Sequence, residues 1–524
     1  MEPVFTVPTC SSTGREGCVT RPNLRPQAGS RLISTRSAWP LLLIAAALRL
    51  VHLHAPILGV HSWRQADTAA IARNAFEQQL PFWTPQVDWG GMGSGFAETD
   101  PPLYSQAVAG LYGLFGVHEW LARGLSLVLS LICLWLLLRL GRRLLGAEAG
   151  WWGAFFFAVL PLPVFYGRTV QPESLLLCCA ALALERGLAW RERGRRRDLA
   201  LSTLGLAGAV LIKVLPALWL GLPLLWLAWL RHGPRLWRRG ELWLAATVVL
   251  GLSGAWYWHA HQLYLASGLS FGFWGSGANR YSWTEVIGPA YWGNLLLRTS
   301  VRGLAVLGLP LLLVGLWPPQ PHREARLLPI GLVGVLAAGA LAPQSSAVHE
   351  YYQLPLLLFA CPLMGQGWVR LWQSRRHRAL RLGLTLLLLT SLTVLSLDYW
   401  SKEHARGNPT WLLAQRIQRE TPADARIISI TGGDPTLLYL AHRKGWLKGP
   451  GAVDAAWLQQ RAAEGATHVA GSWEVIQSYA PFPNNAAKAR LKQLLGVEAA
   501  AGTNYLVPLP LPLPLQNDAP GSQP

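Results

Sequence analysis

The chain has 524 residues, 51% of them hydrophobic, a mean hydropathy of +0.25 and only 14% charged side chains. Soluble proteins carry roughly 25% charged residues, so the composition argues against a soluble globular protein and for a chain that largely faces lipid. The net charge of +19 would suggest nucleic-acid binding in a soluble protein, but the Arg residues cluster in short patches between apolar runs, as at 191–197 and 375–378. That is how cytoplasmic loops of a membrane protein are marked.

Residues 1–37 are polar and Arg-bearing and lack an apolar core, so they read as a cytoplasmic disordered tail and not a cleaved signal peptide. Apolar segments follow at about 38–58, 120–140, 149–167, 172–190, 199–213, 214–230, 241–258, 300–317, 327–342, 355–372 and 379–397, about eleven spans. With the N-terminus inside, the Arg patches at 139–143, 191–197, 231–239, 323–326 and 375–381 all fall inside. The outer loops are then 59–119, 168–171, 259–299, 343–354 and everything after about 398. Several of the 27 Trp, such as Trp151, Trp152, Trp256 and Trp258, suit interfacial belts. Cys10 and Cys18 lie in the polar tail and Cys133, Cys178, Cys179 and Cys361 in apolar runs; no spacing suggests a metal site or a disulfide framework.

The first outer loop, 59–119, is long and rich in polar and aromatic residues. Its stretch 67–80 has Ala69, Ala72, Phe76 and Leu80 at helical spacing, which predicts an amphipathic helix on the membrane surface, and 103–115 predicts a second. Residues 399–507 read as a small soluble α/β domain. Strands are expected at 426–430 and 467–471, a turn at 432–434, and helices at about 435–442 and 454–464. Residues 508–524 begin with alternating Pro and Leu and read as an extended or disordered tail.

Five stretches together resemble a known family: HSWRQADTAAIARN (61–74), ETDPPLYSQAVAGLYGLFGVHEWLARGLS (98–126), YGRTVQPESLLL (166–177), IKVLPAL (212–218) and HEYYQLPLL (349–357). The chain is similar to the GT-C glycosyltransferases, and within them to family 39, the ArnT-like group of protein O-mannosyltransferases and aminoarabinose transferases. The stretch GGDPTLLYLAHRKGW (432–446) resembles the outer domain of bacterial members. Two departures stand out. Members often carry an acidic pair in the first loop, where here Ala66 precedes Asp67. Aminoarabinose transferases typically have Lys before the Pro-Pro pair, where here Asp100 stands.

The resemblance implies a polytopic α-helical membrane protein of the GT-C type, with a transmembrane module over 38–398, a long first periplasmic loop and a small C-terminal α/β periplasmic domain. It also implies an enzyme in a bacterial inner membrane that takes sugar from a polyprenyl-phosphate donor to a glycan, lipid or protein hydroxyl. Such a reaction needs a base for the acceptor hydroxyl and positive charge beside the leaving phosphate, and attack by a single-carboxylate mechanism inverts the anomeric centre. Asp67 is the candidate base; the competing reading is a helix N-cap. Glu98 and Asp100 either bind acceptor or a divalent cation (Mg or Mn), or hold the loop. Arg168 either holds donor phosphate or clamps Glu173 across a short loop, and Glu173 is a further acceptor or metal candidate. Lys213 is a phosphate ligand or a snorkelling lysine. His349 and Tyr351, on the family's likeness, and Arg298 complete the donor candidates; Arg280 is a weaker one. The competing function is a transporter or flippase of lipid-linked sugars, which calls for polar residues along a path and often internal repeats; no repeat is present and mid-span charges are few. A polymerase or ligase with its site in a late loop, or a scaffold, leaves the acidic first loop without a role.

Overall fold

The computed structural model describes residues 37–274, 283–318, 322–374, 377–473, 483–497 and 503–509. The tail 1–36, Arg280, residues 375–376 of one Arg patch, and 510–524 lie outside them.

Each expected apolar segment carries helix, and among the described residues four helices are long and apolar enough to cross a membrane unbroken: Glu119–Leu145, Glu324–Leu341, Glu350–Gln373 and His377–Lys402. The fifth candidate is a pair, Pro289–Gly303 and Gly308–Leu316, bent by 105°. Some of the other segments are helical but interrupted, for reasons visible in the sequence. The expected span 149–167 divides into Ala147–Val159 and Pro161–Tyr166, where a proline opens the second piece and cannot donate into the first. Arg49, fully buried in the helix Trp39–Leu50, sits at this break. Its guanidinium donates to the carbonyls of Ala158 (3.1 Å) and Pro163 (2.8 Å) and to Ser130 Oγ (2.9 Å), partners for groups that lipid cannot satisfy. The segment 199–230 breaks at Lys213, which is extended (φ −151°, ψ 143°) between Arg196–Ile212 and Pro216–Trp219.

Near the C-terminus four strands form one sheet: β1 (Arg426–Ile430), β2 (Lys444–Leu447), β3 (His468–Ser472) and β4 (Asn504–Pro508), in the order β2-β1-β3-β4. β1 runs parallel to β2 and β3, with Ile428 opposite Trp446 and Val469; β4 is antiparallel to β3. β1 and β3 and the helices Thr436–Ala441 and Ala455–Ala463 fall where the sequence put them, while β2 and β4 were not foreseen. Pro508, assigned to the tail, closes β4. One sheet face packs Ile428, Val469 and Tyr505 against Leu458, Leu491 and Leu495. The other packs Ile427 and Ala470 against Leu413, Ile417 and Leu437, in a core continuous with Ala66, Ala69, Tyr104 and Tyr112 of the first loop.

That shared core corrects one expectation. The helix Ser62–Glu77 is not an amphipathic helix lying on a membrane. All of its residues from Ser62 to Ala75 except Trp63 are buried, Ala69 and Ala72 as expected but also Arg64, Gln65, Asp67, Arg73 and Asn74 on other faces. The C-terminal unit covers the side that the sequence pattern left to solvent. The first loop also docks on the sheet edge: Gly445 N–H donates to Asp88 O (2.9 Å) and Gly91 N–H to Gly445 O (2.7 Å). Arg73 binds Asp88 (2.6 Å) and the carbonyl of Tyr439 (3.0 Å). The helix Leu103–Phe115 is amphipathic, with Tyr104, Val108 and Tyr112 buried and Leu114 and Phe115 exposed.

Candidate active site

Asp67 stands in the second turn of the helix Ser62–Glu77. Its N-cap is His61, in the left-handed region at φ 52°, so Asp67 does not cap the helix. The carboxyl is buried, and Oδ1 accepts from the indole N–H of Trp89 at 2.9 Å. Burial pushes its pKa well above the usual carboxylate range; Trp89 and Arg64 oppose the shift, while Asp88 and Asp434 add to it. Asp434 comes from the turn after β1, where it caps Thr436 N–H (2.8 Å); Thr436 Oγ1 meets Ser62 Oγ at 3.2 Å. The C-terminal unit therefore lies against the start of the helix that carries Asp67.

Arg64, one turn before Asp67, reaches Asp100 Oδ2 at 3.0 Å and lies 4.6 Å from the Phe271 ring centroid. Burial raises the Asp100 pKa against the pull of Arg64 and Lys213. Lys213, at the helix break, binds Glu173 Oε1 at 2.8 Å and sits 4.4 Å and 4.5 Å from the ring centroids of Tyr351 and Tyr352. It is a paired cation enclosed by aromatic faces, which overturns the snorkelling reading. His349 stacks on Tyr351 (5.2 Å) and packs edge-on to His61 (5.4 Å). Burial, followed by His61, Arg64, Lys213 and Arg298, pushes the His349 pKa down to about 3, so its imidazole is neutral at physiological pH. Arg298 donates to the carbonyls of Ser346 and Ala347. It lines a cleft of about 560 Å³ with Arg302 and Asn294. A neighbouring cleft of about 320 Å³ is apolar, lined by Trp292, Leu296, Leu304 and Leu312, and shares Val335, Gly339, Ser346 and Tyr352 with the cavity beside Lys213.

The sequence candidates thus divide. Asp67, Asp100, Glu173, Lys213, His349 and Tyr351 gather around Arg64, with Arg298 at one edge. Arg168 does not join them and does not pair with Glu173: it is fully buried and donates to Glu403 Oε2 at 2.5 Å. Glu98 holds the loop, accepting from Ser270 Oγ and the N–H of Phe273, each at 2.5 Å. Among the described residues no three His, Cys, Asp or Glu side chains are grouped to hold a metal ion. Arg64, Trp89, His61 and Glu403 were missed. Arg64 alone left a signal, three residues before Asp67 and so on the same helix face.

Residues 99–258 match the family model of dolichyl-phosphate-mannose-protein mannosyltransferases, a stretch that takes in Asp100, Arg168, Glu173 and Lys213. No curated protein sequence matches the chain. The structure is similar to ArnT from Cupriavidus metallidurans bound to undecaprenyl phosphate, with a TM-score of 0.65 and 15% identity over 90% of this chain and 97% of that one. It is also similar to the oligosaccharyltransferase AglB from Archaeoglobus fulgidus in complex with an inhibitory peptide and a dolichol-phosphate (TM-score 0.51, 12% identity, 83% and 69% covered). A third likeness is to the arabinofuranosyltransferase AftD from Mycobacteria (TM-score 0.50, 17% identity, 86% and 36% covered). The fold is that of the GT-C glycosyltransferases, helical membrane proteins. Within that class the family match and the likeness to ArnT support the ArnT-like and protein mannosyltransferase group, as the sequence resemblance implied, and with it a glycosyltransferase enzyme.

Proposed function

We propose that the chain is an inverting glycosyltransferase that moves a sugar from a polyprenyl-phosphate donor to a hydroxyl of an envelope glycan, lipid or protein. The observation that carries this is the buried Asp67, its pKa raised, one helical turn from the Arg64–Asp100 pair, whose carboxylate also feels Lys213, in a fold shared with a protein bound to undecaprenyl phosphate. Asp67 accepts the proton of the acceptor hydroxyl, whose oxygen bonds to the anomeric carbon as the bond from that carbon to phosphate oxygen breaks. The phosphate leaves as lipid phosphate, its charge balanced by Lys213 and Arg298. Tyr351 and the neutral His349 wall the donor pocket, and the apolar cleft beside Tyr352 suits the first isoprene units. Asp100 holds Arg64 and Glu173 holds Lys213 in place. Turnover measured with and without a chelator tests whether a divalent cation (Mg or Mn) takes part.

The site belongs to the outer, periplasmic side of a bacterial inner membrane, with the N-terminus inside; the Arg patches between the apolar segments support this orientation. Reporter fusions test it: one after residue 400 should be active only outside, and one at 195 only inside. Function is tested with purified protein, undecaprenyl phosphate and a panel of undecaprenyl-phosphate sugars. The expected result is saturable binding of undecaprenyl phosphate and release of it from one donor on acceptor addition. Binding together with movement of intact donor across vesicles, and no transfer, would instead indicate a flippase.

A further inference from the structure

Glu403 directly follows the last apolar helix and is 1% exposed. Three basic side chains from separate parts of the chain converge on it. Arg168 Nη2 lies 2.5 Å from Oε2, His52 Nδ1 3.2 Å from the same oxygen, and Arg123 Nη1 3.6 Å from Oε1. Arg123 and Arg168 are fully buried, and neither makes an ion pair with another carboxylate among the described residues. A buried ion cluster of this kind holds its members in one arrangement, because removing the lone carboxylate leaves two buried guanidinium groups uncompensated.

The consequence lies in what Arg168 is attached to. It opens the short loop 168–172, whose next residues bind the helix Glu119–Leu145 through Ser126 and the site helix through Gln65. Thr169 O accepts from Ser126 Oγ at 2.7 Å, and Val170 N–H donates to Gln65 Oε1 at 3.2 Å. Gln65 is fully buried, two residues before Asp67, and its amide nitrogen donates to Val60 O at 3.3 Å. At the far end of the same loop Glu173 holds Lys213. One loop therefore touches both halves of the candidate site, the helix of Asp67 through Gln65 and the enclosed cation through Glu173, and Glu403 is the anchor at its start.

We infer that Glu403 is a positioning residue for the transfer site, acting through Arg168 and the loop 168–173 on Asp67 and Lys213. The role in transfer rests on the function proposed above; the mechanical coupling does not.

The test uses the full chain in detergent, with amide hydrogen exchange and binding of undecaprenyl phosphate measured well below the thermal midpoint of each variant. Glu403→Gln is expected to speed exchange selectively in 167–173 and 62–67 and to weaken undecaprenyl phosphate binding about tenfold. Glu403→Asp keeps the charge but shortens its reach, so binding should stay within about threefold of wild type, with mild acceleration of exchange in the same two segments. Gln65→Leu should reproduce the exchange change in 62–67, and combining it with Glu403→Gln should add little there, because both cut the same connection. Wild-type exchange in these segments in folded Glu403→Gln, or fully additive effects, would overturn the inference. If Glu403→Gln does not fold, Glu403→Asp decides: mild acceleration confined to the two segments supports the coupling, and uniform or absent acceleration overturns it. Should wild type fail to bind undecaprenyl phosphate, the proposed function falls while the exchange data still judge the coupling.

Discussion

Asp67 and Glu403 are both buried carboxylates among polar side chains, and the protein drives them in opposite directions. Asp67 has one neutral donor, Trp89, and two further carboxylates near it, so burial wins and its proton affinity rises. Burial alone would also raise Glu403, but Arg168, His52 and Arg123 overcome it and hold the pKa at about 2. A carboxylate with two guanidinium groups is permanently charged and committed to structure. A carboxylate short of cations, in a cluster with Arg64 one turn away, is poised to take and release a proton. The comparison separates a reactive acid from a structural one without reference to their exposure, which is nearly the same.

The largest effect expected from this contrast is at Asp67. Asp67→Asn keeps the side-chain size and can still accept from Trp89, so undecaprenyl phosphate binding and the thermal midpoint should hold near wild type. Turnover should fall by roughly two to four orders of magnitude, the usual contribution of a general base. An Asn variant with wild-type transfer would remove Asp67 from the mechanism.

At Glu403 the expected effect is on stability. A folded pKa of about 2 against 4.5 for the free side chain means the unfolded chain binds more protons between those values. Stability from this group is therefore complete above about pH 5 and is lost as pH falls through 4.5 toward 2, by about 3 kcal/mol in all. Acid-unfolding curves of wild type and Glu403→Gln should converge at low pH. Parallel curves would mean that Glu403 is not held charged by its neighbours.

Lys213 lies between the two cases, a cation with one carboxylate partner and two aromatic walls. Lys213→Met should weaken undecaprenyl phosphate binding by about 1.5–3 kcal/mol, roughly ten- to a hundredfold, as read by titration. Unchanged affinity would restrict Lys213 to its pair with Glu173.

The same contrast explains what the sequence could show. Apolar length and Arg patches marked the helices, and alternation marked β1 and β3, because those patterns are local. The helix at 62–77 was placed in part but put on a membrane surface. Its polar residues are buried by partners that local spacing does not reveal: Arg64 by Asp100, Gln65 by Val170, Asn74 by Asp88, and Arg73 by Asp88 and by Tyr439 of the docked C-terminal unit. The role of Arg168 was misread for the same reason: its partner Glu403 is 235 residues distant and left no spacing signal. β2, with the sequence KGWL, is too short and too glycine-broken to alternate, and it gains its place from pairing with β1.

The smallest and most specific prediction concerns Trp89. Among the described residues its indole N–H makes the one hydrogen bond seen at the Asp67 carboxyl, and it favours the charged form. Trp89→Phe keeps an aromatic ring against the shared core and removes only that donor. The Asp67 pKa should then move further upward, because burial and the neighbouring Asp88 and Asp434 remain. A base must be ionised to act, so turnover rises with pH through this pKa, and the rising limb should shift to higher pH in the variant. At a pH on that limb the rate should drop by about tenfold, the low end for one hydrogen bond to a charged group, and recover toward wild type at higher pH. A pH-independent loss would show that Trp89 shapes the pocket without tuning the base, and a shift to lower pH would contradict the assignment of Asp67 as the titrating group.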